Sequence, residues 1–181
     1  TGLTKLGYLD ASHNQLTDLA GLKELTKADG IYLQENKLKN VDGLQGLTEV
    51  KKKLCLQENQ LKNINGLKNL TSVGELKLSN NQLANVDGLN NLTKAAYLDI
   101  SQNQLTNVEG LSSLAKVNEL DLSENQLTAV QRLKNLTEIE KLKLNNNQLT
   151  EIMGLKSLKR VKKLDVSENQ LVNVDGLSNL E

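Results

Sequence analysis

The sequence predicts an α/β solenoid, in which short strands and short helical turns stack one repeat upon the next. Two observations support this prediction. Aromatic residues make up 2% of the 181 residues, with no Phe or Trp, so the core must come from aliphatic side chains that recur often. An asparagine followed by Gln-Leu or Lys-Leu recurs every 22 residues, with one step of 23, at Asn14, Asn36, Asn59, Asn81, Asn103, Asn125, Asn147 and Asn169. A constant period of this length is typical of a repeat protein.

Each repeat divides into a strand, a turn and a short helical segment. Leu120 and Leu122 are separated by one polar residue, and this period of two predicts a strand with one buried face. The repeated asparagine follows the strand, where its amide can both donate to and accept from backbone groups that the turn would otherwise leave unpaired. The next segment, Asp-Gly-Leu in several repeats, predicts a turn of α or 3-10 helix capped by the Asp side chain, as at Asp42.

One repeat cannot bury enough apolar surface to offset the entropy of ordering its backbone, so the repeats must stack. We expect residues 1–181 to form one domain of eight repeats of 22–23 residues, with no recognisable caps. Apolar side chains would then line one end (Leu3, Leu6, Leu9, Leu16, Leu19 and Leu22) and the other (Leu171, Val174, Leu177 and Leu180). Exposed apolar ends and open strand edges favour end-to-end self-association or fraying of the first repeat.

The composition excludes several classes of function. The 22 basic and 22 acidic residues cancel, so neither a nucleic acid nor an anionic membrane is an expected partner. One Cys and one His exclude a disulfide framework, a Cys-rich zinc site and most His-based catalysis. No run of about 18 apolar residues predicts a membrane span. We therefore expect a soluble protein that is not an enzyme and has no catalytic residues, cofactor or metal; its single thiol favours the cytoplasm, although the compartment stays open.

The repeat pattern apolar-x-x-Leu-x-Leu-x-x-Asn-x-Leu, which residues 117–127 show in full, resembles the leucine-rich repeat family. The 22-residue length is similar to the class typified by a regulatory subunit of protein phosphatase 1. Internalin-type repeats share the length but usually carry proline in the return segment, which holds Asp or Asn here. The resemblance implies a right-handed curved array, with a parallel β-sheet on the concave face and short α or 3-10 turns on the convex face. It also implies that the concave face binds a protein or peptide.

The uniformity of the repeats supports an alternative hypothesis. All eight copies keep Asn-Gln-Leu or Asn-Lys-Leu, with little of the variation found among natural repeats. An engineered or consensus-like leucine-rich repeat protein with no natural ligand would have this property. Both hypotheses stay open at the level of sequence.

Strand residues between the buried leucines are expected to form columns on the concave face. Tyr8, Tyr32 and Cys55 follow one another over three repeats, with Gly30 leaving space beside them. Tyrosine is a favoured binding anchor because it brings area and a hydroxyl at small entropic cost, although it also suits strands in general. The predicted partner-binding residues are Tyr8, Asp10, Tyr32, Gln34, Cys55, Lys77, Tyr97 and Asp99.

Adjacent strands also place opposite charges side by side. Lys77 is expected to pair with Asp99, and Lys143 with both Asp121 and Asp165, as lateral ion pairs.

Three further features depart from the plain repeat. Lys51, Lys52 and Lys53 carry the one inserted residue and predict a bulge or a small anion contact. Arg132 replaces the glycine of its turn and predicts local softness. The Asn-Leu-Thr triplets at Asn69, Asn91 and Asn135 match glycosylation sequons but also follow from the repeat itself.

Overall fold

The computed structural model describes residues 2–181, which form one curved sheet of eight parallel strands in chain order. The strands are β1 (Lys5–Asp10), β2 (Lys27–Tyr32), β3 (Glu49–Cys55), β4 (Ser72–Lys77), β5 (Lys94–Asp99), β6 (Lys116–Asp121), β7 (Glu138–Lys143) and β8 (Arg160–Asp165). A 3-10 turn follows each strand, at Ala20–Leu22, Asp42–Leu44, Asn65–Leu67, Asp87–Leu89, Glu109–Leu111, Gln131–Asn135, Met153–Leu155 and Asp175–Leu177. The predicted solenoid is confirmed. Within residues 2–181, no helix has the length and apolar character that crossing a bilayer requires.

The core is a continuous stack of aliphatic side chains between the sheet and the turns. In the fourth repeat, Leu76, Leu78, Leu83, Val86 and Leu89 are all fully buried, and the central repeats reproduce the pattern. Burying one such side chain contributes about 2–3 kcal/mol. Many small contributions of this kind replace the few large ones that Phe and Trp would make.

The repeated asparagines bridge neighbouring repeats, as the sequence predicts. Asn103 Nδ2 donates to the carbonyl oxygen of Leu78 in the preceding repeat at 3.0 Å, and its Oδ1 accepts from the Leu83 N–H at 3.0 Å. The same amide also donates to the carbonyl oxygens of Ile100 and Ser101 in its own repeat. A buried ladder of amides therefore joins the repeats along one edge of the sheet.

The predicted Asp cap of the turns is wrong. Asp42 is the first residue of its turn, and the residue before it, Val41, makes no capping bond with its side chain. Instead, Asn40 Oδ1 accepts a hydrogen bond from the Asp42 N–H at 3.1 Å. Asn63, Asn85, Asn107 and Asn173 act in the same way in their repeats. An Asx side chain reaches the N–H two residues ahead, which places the cap one residue before the position that the α-helical rule assigns.

Glycine in the turns is required by close packing of one repeat on the next. Gly88 has an ordinary negative φ, but a Cβ there would overlap the carbonyl oxygen of Ile64 in the preceding repeat. Gly21 lies in the first repeat, and a Cβ there would have no atom within 4 Å. At this spacing, a side chain at the glycine position would force the two repeats apart.

Arg132 occupies that glycine position in the sixth turn, and the stacking changes there. The turn lengthens to Gln131–Asn135, and Arg132 Nη2 lies 3.2 Å from Glu109 Oε1. Strands β6 and β7 pair only from Glu119 and Lys141 onward, whereas β5 pairs with β6, and β7 with β8, from their first residues. A cavity of about 660 Å³ lies beside the unpaired strand starts. The turn with a side chain at residue 132 thus lies next to a local opening between the starts of β6 and β7.

Candidate functional site

The strand register places the predicted columns side by side on one face of the sheet. Tyr8 faces Gly30, and Asp10 faces Tyr32, in the pairing of β1 with β2. Lys77 faces Asp99 in the pairing of β4 with β5. The register alone brings these side chains together on one face; it does not show that they bind a partner.

Tyr8 and Tyr32 pack together over Gly30. A Cβ at Gly30 would lie 2.8 Å from Tyr8 Cδ1 and 3.2 Å from Tyr32 Cε2, so both rings occupy the space that this glycine leaves. Tyr8 remains 51% exposed. The pair is therefore an aromatic surface that is held on two strands and still open to solvent.

The inserted residue in β3 forms a bulge, as the sequence predicts. The register shifts on both sides of Lys51 and Lys52, between Ala28 and Gly30 on β2 and between Val50 and Lys53 in the pairing with β4. On the β4 side, a Cβ at Gly74 would overlap the carbonyl oxygen of Lys52. Gly74 therefore gives the bulge the room that it needs.

The bulge directs a lysine toward the aromatic pair. Lys52 Nζ lies 5.1 Å from the centroid of the Tyr8 ring, and the Tyr8 side chain raises the pKa of Lys52. Lys53 Nζ pairs with Glu75 Oε2 at 3.0 Å, and this hydrogen-bonded carboxylate raises the pKa of Lys53. An ammonium over the face of a ring is attracted by its quadrupole.

Tyr97 forms a second aromatic position on the same face. It is half-buried, and this burial, with smaller contributions from nearby carboxylates led by Asp99, raises its pKa to about 12. Lys77 Nζ lies 6.0 Å from the ring centroid. An open cavity of about 500 Å³ lies in front of the ring, between Glu75 and Glu140. The Tyr97 hydroxyl consequently keeps its proton, and its ability to donate, to a higher pH than an ordinary tyrosine does.

Cys55 is buried, although its column position predicts exposure to solvent. Its side chain is 4% exposed, because the long side chains of Tyr32 and Lys77 flank it in the register. Burial raises the pKa of the Cys55 thiol, so a reactive thiolate is disfavoured. Gln34 is half-buried, with its Oε1 shielded from solvent.

Aspartates on this face also have a structural role that the sequence analysis missed. Asp10 Oδ1 accepts from the Ser12 N–H at 3.0 Å and from the Ser12 hydroxyl at 2.6 Å, and these bonds lower the pKa of Asp10. Asp99 and Ser101 repeat the arrangement. The signal is the Asp-x-Ser spacing at the end of a strand, which also occurs at Asp121 and Asp165. One oxygen of each carboxylate is thereby used to shape the turn.

The predicted lateral ion pairs form only in part. Lys143 Nζ lies 2.6 Å from Oδ2 of the buried Asp121, as expected. Lys77 instead lies near the Tyr97 ring, and Asp165 Oδ1 accepts from Ser167. Other neighbours pair laterally, including Lys27 with Glu49 and Lys162 with Glu140, both at 2.9 Å.

Residues 2–181 hold no group of three or more His, Cys, Asp or Glu side chains placed to bind a metal ion. The sequon asparagines have structural bonds. Asn69 Nδ2 donates to the carbonyl oxygen of Gln45, and Asn91 Nδ2 to that of Lys68, each at 2.8 Å. Asn135 Nδ2 likewise donates to Ser112. Each amide that a glycan would modify therefore already links two repeats.

Known structures resemble the chain over nearly its whole length. An internalin, InlF, of Listeria monocytogenes has a TM-score of 0.72 and 26% sequence identity, over 98% of this chain and 58% of its own. Internalin C2 of the same organism has a TM-score of 0.73 and 26% identity, over 96% of this chain and 76% of its own. A leucine-rich repeat protein of Leptospira interrogans has a TM-score of 0.67 and 25% identity, over 92% and 45%. The chain has the leucine-rich repeat fold.

This leucine-rich repeat array thus spans less than two thirds of the InlF chain. Comparison with protein-family models and with curated protein sequences finds no match. Two of the three structures named above are internalins, although the return segments of this chain lack the proline that internalin-type repeats usually carry.

Proposed function

We propose that the array is a non-catalytic protein-binding module that uses the concave face of its sheet. Tyr8, Tyr32 and Tyr97 are the anchors. The rim residues are Asp10, Gln34, Lys77 and Asp99, with Cys55 beneath as a packing residue. The single observation that supports the proposal is that every aromatic residue of the chain lies on this one face.

The geometry suits binding for a physical reason. Strand residues are held by the ladder of backbone hydrogen bonds, so a partner meets side chains whose positions are largely set in advance. A tyrosine presents a wide, amphipathic surface with only two side-chain torsions to restrict. Tyr8 combines this property with 51% exposure, and the Gly30 platform holds its ring. Truncation of such anchors typically costs 2 kcal/mol or more of binding free energy, and rim charges cost less.

The experiment compares two triple variants in affinity capture from cell extracts. One replaces Tyr8, Tyr32 and Tyr97 by alanine. The matched control replaces Gln45, Lys68 and Asn90, exposed residues that end turns on the opposite side of the array. A protein retained by the wild type and by the control, and lost from the tyrosine variant, supports the proposal. Retention by the tyrosine variant contradicts the role of the concave face.

The alternative is a consensus-like array with no natural ligand, which the uniform repeats favour. It expects no protein to depend on the three tyrosines in the same experiment, whatever the source of the extract. The finer relationship to the class of the protein phosphatase 1 regulatory subunit stays a prediction, and so does the single-domain organisation over residues 1–181.

End-to-end self-association is a further proposal about this 181-residue chain. Leu3 is 46% exposed at one end, and Val174, whose counterparts Val130 and Ile152 are buried, is 57% exposed at the other. Leu19, expected at the open end, is instead buried at 7% exposure because the second repeat covers it. Val174 is the more exposed of these two core positions, so we propose the C-terminal end as the site of association.

A further inference from the structure

Strands β6 and β7 are joined by fewer backbone contacts than the other neighbouring strands. At the other junctions, the residue before a strand donates its N–H to the carbonyl oxygen of the equivalent residue one repeat earlier, as Thr93 does to Thr71 at 3.1 Å. Within residues 2–181, only the junction of β6 with β7 lacks this bond, because the Thr137 N–H does not donate to the Ala115 carbonyl oxygen. The first two strand pairs of β6 with β7 are missing as well, whereas the equivalent pairs of β5 with β6 are formed.

The opposite edge of the same junction is closed. Asn147 Nδ2 donates to the Leu122 carbonyl oxygen at 3.0 Å, and Asn147 Oδ1 accepts from the Leu127 N–H at 2.9 Å. The Leu122 N–H also donates to the carbonyl oxygen of Lys143 at 2.9 Å. The two strands are therefore joined at their ends and separated at their starts, where the cavity of about 660 Å³ lies.

The side chain at residue 132 gives a physical reason for this separation. The equivalent residues of the turns before and after it are Gly110 and Gly154, where a Cβ would overlap the carbonyl oxygens of Val86 and Val130. Arg132 carries a Cβ, so its turn cannot pack on the preceding turn as closely as the glycine turns do. Because these two turns lead directly into β6 and β7, a wider spacing between them extends to the strand starts.

A weak contact between neighbours has a defined effect in a repeat array. The stability of an array is approximately a sum of one contribution from each repeat and one from each contact between neighbours. Partial unfolding is therefore easiest at the contact that contributes least. Two strands, β7 and β8, follow this contact, and about three repeats are needed for a stable array. These two strands consequently cannot stay folded once their contact with β6 is broken.

We propose that residues 131–181, the C-terminal unit, unfold and refold as one cooperative unit while residues 2–130, the N-terminal unit, stay folded, and that Arg132 sets the boundary. This inference goes beyond the proposed function and does not depend on it. Tyr8, Tyr32 and Tyr97 all lie in the N-terminal unit, on β1, β2 and β5. The face that carries the tyrosines therefore persists when the C-terminal unit unfolds.

The experiment follows urea unfolding of the 181-residue chain with two probes. Because the chain has no Trp, its fluorescence comes from the three tyrosines, all in the N-terminal unit. Far-ultraviolet circular dichroism reports all eight strands, of which the C-terminal unit holds two. We expect about a quarter of the circular dichroism change to occur at lower urea, before the fluorescence changes. Coincident transitions by the two probes would overturn the proposal, since they indicate unfolding in one step.

Two variants test whether residue 132 sets the boundary. Arg132→Gly restores the glycine of the other turns, and we expect it to bring the two transitions together. The matched control is Lys134→Gly, which removes the same charge from an exposed position of the same turn and should keep the transitions apart. The inference fails if Arg132→Gly leaves the early transition in place, or if Lys134→Gly removes it equally.

Amide hydrogen exchange in dilute urea locates the boundary along the chain. We expect the amides of β7 and β8 to exchange together, at least about tenfold faster than those of β4 and β5. Fraying from the chain end alone would instead give rates that fall gradually from β8 inward, and this result would overturn the inference. Equal rates in β5 and β7 would overturn it as well.

Discussion

Replacing Asn103 by alanine removes the side chain that bridges the fourth and fifth repeats. Its Oδ1 is the acceptor for the Leu83 N–H, and its Nδ2 donates to three carbonyl oxygens. The carbonyl oxygens of Leu78 and Ile100 keep a second donor each, from the amides of Asn81 and Asn125. The Leu83 N–H keeps no other partner and lies at a buried position. The substitution therefore leaves one orphaned donor in the core.

The expected cost follows from that group. A buried polar group without a partner costs about 1–3 kcal/mol, so we expect a loss of about 2 kcal/mol in the free energy of unfolding. The matched control is Asn14→Ala. Asn14 is exposed and donates only within its own repeat, to Ala11 and Ser12. We expect it to cost less than about 1 kcal/mol, because water can replace both bonds.

Urea unfolding followed by far-ultraviolet circular dichroism measures both variants against the wild type. With a slope of about 2 kcal/mol per molar, the Asn103 variant should unfold at about 1 M lower urea. The slope should stay constant, since the surface exposed on unfolding hardly changes. If Asn103→Ala and Asn14→Ala unfold within about 0.5 kcal/mol of each other, the bridge between repeats is not a source of stability and the reasoning fails.

Four further predictions follow from the packing, the charges and the ends. Gly88→Ala should cost about 1–3 kcal/mol in chemical denaturation because its Cβ overlaps the preceding repeat, whereas Gly21→Ala should be neutral; equal effects would refute the packing argument. Arg132→Gly should increase the free energy of unfolding and slow amide exchange at the start of β7. Unchanged exchange there would show that Arg132 does not cause the opening between β6 and β7. The pKa of Tyr97 is raised from 10.0 to about 12, so the folded state keeps this proton to a higher pH than the unfolded state does. The stability that the protonated Tyr97 contributes is complete below pH 10 and is lost as the pH rises to about 12. In an ultraviolet titration, the Tyr97→Phe variant should lack the tyrosine transition at the highest pH. Light scattering should show that the 181-residue chain associates as its concentration rises and that Val174→Lys reduces the association, and a monomer at every concentration would contradict association through that end.

The sequence accounts for the parts of the fold that depend on local period. The alternation of Leu120 with Leu122 assigns the strand, and the recurring asparagine assigns the edge where repeats are bridged. Each repeat packs mainly on neighbours with the same pattern, so a shift in strand register would misplace the apolar side chains of every repeat. The repeated pattern therefore permits only one register. The concave columns containing Tyr8 and Tyr97 were therefore predictable residue by residue.

Details that depend on a neighbouring repeat were not predictable. The rule for α-helices assigned the turn cap to Asp42, but Asp42 is the first residue of the 3-10 turn and the capping side chain is that of Asn40, two residues earlier. Cys55 has the sequence position of an exposed residue and is buried by its lateral neighbours. The role of Gly74 depends on a bulge in the previous strand, 22 residues earlier in the chain.

The sequence alone determined the solenoid, its register and the face that carries the tyrosines, because hydrophobic period and repeat length are local properties. Only the tertiary structure decided which side chains meet on that face. Lys77 had Asp99 as its nearest opposite charge by register, yet its ammonium lies near Tyr97 while Asp99 holds Ser101. The choice between a carboxylate and a ring depends on distances of a few ångströms between side chains on adjacent strands. No periodic pattern in a sequence encodes those distances.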